Sequence, residues 1–135
     1  MRLALAGAAA AVLAVSTPAT AQMTATFLDG HYTMSHAACA KLKALEAGGP
    51  KSASTVPWYV ERRGIGFWEG SCGYRRITER KKGQEWVVVA MCHEGPTKTR
   101  ETYRWVRKGD GVYDVTRKGD RKPVRYTRCD LGKGK

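Results

Sequence analysis

The sequence predicts a mainly β protein: an antiparallel meander or small barrel-like sheet with one N-terminal α-helix and two disulfides. Three observations support this fold class. From residue 56 onward, short runs rich in Trp, Tyr, Val and Thr alternate with glycine-containing turns, the spacing typical of successive antiparallel strands. One segment before them has the composition of a helix. Four cysteines occur in a chain of 135 residues that begins with an export leader.

The first 21 residues have the pattern of a secretory signal peptide. Arg2 precedes an unbroken run of apolar and small residues from Leu3 to Val15, and Ala19-Thr20-Ala21 has the small-x-small pattern of a cleavage site. That run is too short to cross a hydrocarbon core of roughly 30 Å as a helix. We therefore expect a leader over 1–21, one β-rich domain over 22–130, a basic tail over 131–135, a periplasmic or secreted location and no transmembrane segment.

The one clear helical segment follows Ser35, a favoured N-cap residue. Residues 36–47 are mostly good helix formers, and Gly48-Gly49-Pro50 ends the run. Leu42 and Leu45 fall on one face of this helix, which we expect to bury.

Strand predictions follow from β-branched and aromatic residues bounded by turn residues. Residues 31–34 are a possible first strand before the helix. The later runs are Val56–Glu61, Ile65–Glu69, Cys72–Arg80, Glu85–Cys92, Thr97–Arg107, Gly111–Arg117 and Lys122–Cys129.

The turn before residue 85 predicts how the cysteines pair. If Lys81-Lys82-Gly83 is a three-residue loop with glycine in the left-handed position, Cys72 falls directly opposite Cys92. Opposed residues of an antiparallel pair lie about 4.5–5.5 Å apart, within disulfide range. The same register places Ile77 opposite Val87. The second disulfide, Cys39–Cys129, then follows by elimination and would join the helix to the last strand.

The next two turns predict the core face of the last three strands. A Lys108-Gly109-Asp110 loop places Trp105 opposite Tyr113, and a Gly119-Asp120 turn places Tyr113 opposite Tyr126. We expect one buried face made of Tyr103, Trp105, Tyr113, Val115, Val124 and Tyr126. The opposite, solvent face would carry Arg104, Asp114 and Arg125, and Glu101 would form an ion pair with Arg117.

The strand Glu85–Cys92 is apolar on both faces. Trp86, Val88 and Ala90 alternate with three apolar residues at the odd positions between 87 and 91. A barrel interior could bury one face, and the helix carrying Leu42 could bury the other.

The chain contains no nucleophile elbow, phosphate-binding glycine loop, zinc-protease helix or EF-hand loop. The histidines, His31, His36 and His93, could in principle form a metal site but are more simply three separate surface residues. No pair of carboxylates has a recognisable acid/base arrangement. We therefore expect no enzymatic activity, no metal and no cofactor.

The charge is the stronger signal. The chain has 24 Lys and Arg against 12 Asp and Glu, a formal net charge of +12, of which the leader contributes only Arg2. Such a charge favours anionic partners: anionic lipid, lipopolysaccharide, acidic glycan or acidic protein. Nucleic acid is disfavoured by the exported location. The predicted anion-binding residues share the solvent face of the last strands: Lys98, Arg100, Arg104, Lys118 and Arg125. A solvated basic surface without a partner is the alternative.

Several sequence features together carry a resemblance. They are Phe27-Leu28-Asp29-Gly30-His31-Tyr32, Cys39, Phe67-Trp68-Glu69-Gly70-Ser71-Cys72, Cys92 and Tyr126-Thr127-Arg128-Cys129. In these the chain resembles small uncharacterised periplasmic proteins common in alphaproteobacteria. The resemblance implies a compact β fold and no known activity. More loosely, the architecture is similar to lipocalin-like barrels and bacterial lysozyme inhibitors.

These observations favour an exported, non-enzymatic binding protein that recognises an anionic envelope component or an acidic protein through a basic sheet face. Two alternatives stay open. One is a lipocalin-like carrier of a small apolar ligand in the barrel interior, and the other is an inhibitor of a secreted hydrolase.

Overall fold

The structure is a computed structural model that describes residues 23–132. It forms a closed antiparallel barrel in which each strand pairs with the next and the last pairs with the first. The predicted leader and residues 133–135 of the predicted tail lie outside the described residues. The elements are β1 (Tyr32–Thr33), α1 (His36–Glu46), β2 (Tyr59–Glu61), β3 (Gly64–Phe67), β4 (Gly70–Lys81), β5 (Glu85–Glu94), β6 (Thr97–Gly109), β7 (Val112–Arg117) and β8 (Val124–Arg128). The mainly β fold class is confirmed.

The helix α1 begins and ends as the sequence predicts. The Ser35 hydroxyl accepts a hydrogen bond from the Ala38 N–H at 3.0 Å, and Gly48 follows the helix with a φ of +91°. Leu42 is its buried residue. However, α1 packs beside β1, which lies four strands away from β5 around the barrel. The expectation that the helix covers the second face of β5 is therefore wrong.

The barrel interior is filled by large side chains. Trp105, Tyr113, Tyr32 and Tyr74 are each about 1% exposed, so the interior is a packed core. Of the six residues predicted to share the buried face, five are buried; Val124 is 40% exposed because it lies at the barrel rim. The core residues from all eight strands are Tyr32, Val60, Ile65, Cys72, Tyr74, Trp86, Val88, Ala90, Cys92, Tyr103, Trp105, Tyr113, Val115 and Tyr126.

The segment before β1 closes one end of the barrel. Ala25 and Leu28 are buried, and the Phe27 ring stacks on Trp86 with 4.3 Å between centroids. The Tyr113 hydroxyl donates a hydrogen bond to the Phe27 carbonyl at 3.1 Å. We call this the closed end.

An ionic cluster fastens the closed end to β8. Arg128 donates to Asp29 at 2.6 Å and to Asp110 at 3.1 Å. The Tyr32 hydroxyl also donates to the Asp29 carboxylate. These hydrogen bonds, led by that of Tyr32, hold the pKa of Asp29 below its ordinary value.

Both predicted disulfides are present, Cys72–Cys92 and Cys39–Cys129. Cys72 lies opposite Cys92, as predicted, but the register nearer the turn differs. The loop lies one residue later than predicted, and Gly83 adopts the expected positive φ of +68°. Two irregularities in β4 absorb the difference. As a result Ile77 lies opposite Val88 rather than Val87.

The β6–β7 register is two residues away from the prediction. The turn is Asp110-Gly111, and Gly111 has a φ of +65°. Trp105 therefore lies opposite Val115 instead of Tyr113. A shift of two residues keeps every side chain on its predicted face, because side chains alternate with a period of two.

The β7–β8 register agrees with the prediction, with Tyr113 opposite Tyr126 and Asp114 opposite Arg125. The Glu101–Arg117 ion pair was predicted from the wrong β6–β7 register. Arg117 instead lies opposite Tyr103, and its guanidinium contacts Asp120 at 3.3 Å.

Candidate anion-binding surface

The outer face of β4 to β7 brings together basic residues from three separate parts of the chain. Arg76 lies opposite Val89, which lies opposite Thr102. The Lys118 N–H donates to the Thr102 carbonyl at 2.8 Å, so Lys118 occupies the next place in the same row. Arg100 lies one outward position along β6 from Thr102, and Lys98 one further. We call Arg76, Lys98, Arg100 and Lys118 the cationic face.

The five sequence-predicted residues are all exposed, but the structure divides them into two groups. Lys98, Arg100 and Lys118 have no carboxylate within ion-pair distance among residues 23–132. Arg104 instead forms an ion pair with Glu85 of β5, and Arg125 pairs with Asp114 at 2.9 Å.

The two ion-paired arginines are at the far side of the predicted surface. The hydrogen bond from Arg125 lowers the pKa of Asp114, which keeps that carboxylate charged at neutral pH. Exposed ion pairs of this kind contribute little to the stability of a fold. Their effect here is local neutralisation, so among the five predicted residues the positive charge that has no ion pair lies on Lys98, Arg100 and Lys118.

An apolar strip runs along the cationic face. Val87, Val89 and Met91 point outward from β5, and Val89 is only 8% exposed although it faces away from the barrel interior. Its outward neighbours include Arg76 and, diagonally, Arg100. The aliphatic stems of arginine commonly lie over apolar surface while the guanidinium stays in water. The face therefore offers charged groups above an apolar floor.

Arg76 was not among the residues predicted from the sequence. A regular β4–β5 hairpin would place it opposite Val88, on the core face, but the irregularity between Tyr74 and Arg76 turns it outward opposite Val89. One sequence signal was available. Tyr74 and Ile77 both need burial and are three residues apart, which a strand permits only if it contains a bulge.

The histidines do not come together. His31 lies in a cleft of about 410 Å³ beside α1, where its Nε2 is 2.7 Å from Glu61 and 3.8 Å from Glu46. His36 lies in the first turn of α1, and His93 lies near the end of β5 opposite Lys98. Within residues 23–132, no group of three His, Cys, Asp or Glu side chains has the arrangement of a metal site.

The barrel end opposite the closed end has a smaller cleft of about 180 Å³. Its walls are Met34, Trp58, Asp120, Val124 and Tyr126, together with residues of β6 and β7. Met34 is 49% exposed. Burial raises the pKa of Tyr126, and a hydrogen bond with Trp58 partly opposes that rise. We call this the open end.

Comparisons with known proteins identify no relative for this barrel. No protein-family model, curated protein or solved structure matches the chain. The helix α1 has 11 residues, and no helix among the described residues is long and apolar enough to cross a membrane. The chemistry of the barrel surface is therefore what indicates the function.

Proposed function

We propose that this protein is a binding protein that holds an anionic partner on the cationic face. The observation that carries the proposal is the convergence of Lys98, Arg100 and Lys118 with Arg76. These residues come from three parts of the chain, and within residues 23–132 none of them forms an ion pair. Like charges gathered in this way repel one another, and an anionic partner removes that repulsion.

The residue types suit phosphate, carboxylate or sulfate groups. The planar guanidinium of arginine can donate two parallel hydrogen bonds to such a group, and lysine acts as a compact positive charge beside it. Strand spacing of about 4.8 Å places Arg76 and Lys118, three strands apart, roughly 14 Å from each other. A partner with several negative charges along its length would contact the whole face.

The two disulfides support an oxidising, exported location, because such bonds persist outside the cytoplasm. Together with the leader pattern of the sequence, they favour a partner in the periplasm or outside the cell. The partner is then an anionic envelope component or an acidic exported protein.

We assign the activity to binding rather than catalysis. The cationic face presents guanidinium and ammonium groups, which are hydrogen-bond donors without an acceptor atom and suit the binding of an anion. The packed interior also limits the carrier alternative, because a ligand would have to use a surface cleft, at the open end or beside His31, instead of the barrel interior.

The test compares two double charge reversals of equal size. Lys98→Glu with Arg100→Glu changes the cationic face, whereas Arg80→Glu with Lys82→Glu changes exposed residues at the β4–β5 turn. The probes are phosphatidylglycerol vesicles, lipopolysaccharide, heparin and polyglutamate. We expect the wild type to bind at least one of them, and more weakly as salt increases.

For that probe, the first double variant should lose about tenfold or more in affinity, equivalent to 1.4 kcal/mol, and the control less than about twofold. If the wild type binds no probe at low salt, or if the two double variants bind equally, the proposal is wrong.

A further inference from the structure

One half of β6 has an open edge. Residues 97–101 pair with β5 on one side. On the other side β7 ends at Arg117, and the chain turns away at Gly119, whose φ is +100°. Among residues 23–132, no strand occupies the place beyond Lys118 that a longer β7 would fill.

The backbone groups at this edge belong to two residues of the cationic face. The Thr102 carbonyl accepts a hydrogen bond from the Lys118 N–H, so the backbone N–H and C=O groups of Thr102 point toward β7. In a strand, successive residues point their N–H and C=O groups to opposite sides. Lys98 and Arg100, about 7 Å apart along the strand, therefore direct both backbone groups to the open edge. Their side chains point to the outer face.

We infer that this edge binds an extended acidic segment of a partner polypeptide, which adds a strand beside residues 97–101 of β6. The inference rests on the proposed function and names its partner class. Strand addition uses main-chain hydrogen bonds for affinity and alternating side chains for specificity.

The surroundings define which segment fits. Outward side chains of the added strand would lie beside Lys98, Arg100 and Lys118, so carboxylates are favoured there. Inward side chains would face the open end, where Trp58 and Tyr126 line a largely apolar cleft that also has Arg117 and Asp120 at its wall. The favoured segment alternates acidic and apolar residues.

Two arguments favour a polypeptide over a lipid surface or a polysaccharide. Neither of those ligands presents the regular N–H and C=O series that would pair with Lys98 and Arg100. The lysine and arginine also discourage pairing between two copies of this edge, because like charges directly opposite each other repel. An open edge that repels itself but attracts acidic strands is selective by charge.

The test separates the charge of Arg100 from its N–H. Arg100→Gln removes the charge and keeps the N–H, whereas Arg100→Pro removes both. Proline is tolerated at an edge position whose N–H makes no ladder bond, and this N–H points away from β5. The probes are a soluble peptide of alternating Glu and Val and, for comparison, phosphatidylglycerol vesicles.

For the peptide, we expect Arg100→Gln to weaken binding severalfold and Arg100→Pro to weaken it about two- to tenfold further, the range for one hydrogen bond. For the vesicles, the two variants should bind alike. If they also bind the peptide alike, strand addition is wrong while anion binding stands. If the wild type binds any of the anionic probes but not the peptide, strand addition is wrong; if it binds neither the peptide nor any of those probes, the proposed function itself fails.

A second measurement does not depend on the fold of the proline variant. The wild-type protein is titrated with the same peptide carrying N-methyl groups on alternate residues, in both of the two possible phases. Strand addition predicts that one phase loses most of its binding while the other keeps it. Equal binding of both phases would overturn the inference.

Discussion

The two halves of β6 differ in what surrounds them. Residues 103–107 pair with β5 and β7 and bury Trp105, and Arg107 lies 5.4 Å from the Trp86 ring centroid. Residues 97–101 pair with β5 alone and are largely exposed. Arg104, in the half that pairs with both neighbours, forms an ion pair with Glu85. Arg100, in the half that pairs with β5 alone, has no ion pair among the described residues. One strand thus provides both core packing and an open, basic edge.

Exposure and basic character therefore do not by themselves identify a binding residue. Arg104 and Arg100 have the same chemistry and lie on the same outer face of the same strand. Their neighbours differ, because Glu85 has its side chain within reach of Arg104. A binding surface is therefore expected where cations lack such neighbours.

The largest difference between the halves should appear in stability. Trp105→Ala removes a ring that is 1% exposed and should lower the free energy of unfolding by about 3–5 kcal/mol. Thr99→Ala, in the exposed half, should change it by less than about 0.5 kcal/mol. Urea unfolding followed by tryptophan fluorescence, with circular dichroism as a check on the Trp105 variant, measures both. Similar losses would mean that the exposed half is as tightly packed as the other.

A smaller difference is expected in binding. Arg100→Gln should lower the affinity for polyglutamate about fivefold at low salt, because it removes an unpaired charge. Arg104→Gln should lower it less than twofold, since Glu85 already engages that guanidinium. Titration of both variants by isothermal calorimetry decides the comparison. A larger effect of Arg104 would place the binding surface at the ion-paired half.

The smallest effect concerns acid stability of the closed end. The pKa of Asp29 is lowered in the folded state, so this group stabilises the fold above its unfolded-state pKa of about 3.9. That contribution is lost as pH falls through the lower folded-state pKa. Asp29→Asn should therefore lose less stability than the wild type between pH 5 and pH 2. Glu94→Gln, at the other end of β5, is the control and should follow the wild type.

The fold class and the Cys72–Cys92 disulfide could be predicted because strand periodicity and turn glycines are local features of the sequence. The Cys39–Cys129 disulfide then followed from the even number of cysteines. The sequence did not predict the register near the β4–β5 and β6–β7 turns. The Asp110-Gly111 turn competes with a Lys108-Gly109-Asp110 loop that has equally suitable residues, and only packing of the whole barrel selects one. The errors were of even size in β6–β7, so the buried aromatic residues were still predicted correctly.

The candidate site was predicted only in part for the same reason. The period-two pattern was sufficient to place Lys98, Arg100 and Lys118 on the outer face. It could not show that Glu85 would engage Arg104, because that contact depends on the β5–β6 register. It did not identify Arg76, whose outward direction depends on the irregularity between Tyr74 and Arg76 in β4.

An NMR titration of the wild-type protein with polyglutamate at low salt tests most directly whether the cationic face binds anions. The cationic face predicts that the largest shifts of backbone amide signals occur at Arg76, Lys98, Arg100 and Lys118. Amides around Arg125, around the β4–β5 turn and in the cleft beside His31 should move little. Shifts centred on any of those three regions, or no shifts at all, would contradict anion binding at the cationic face.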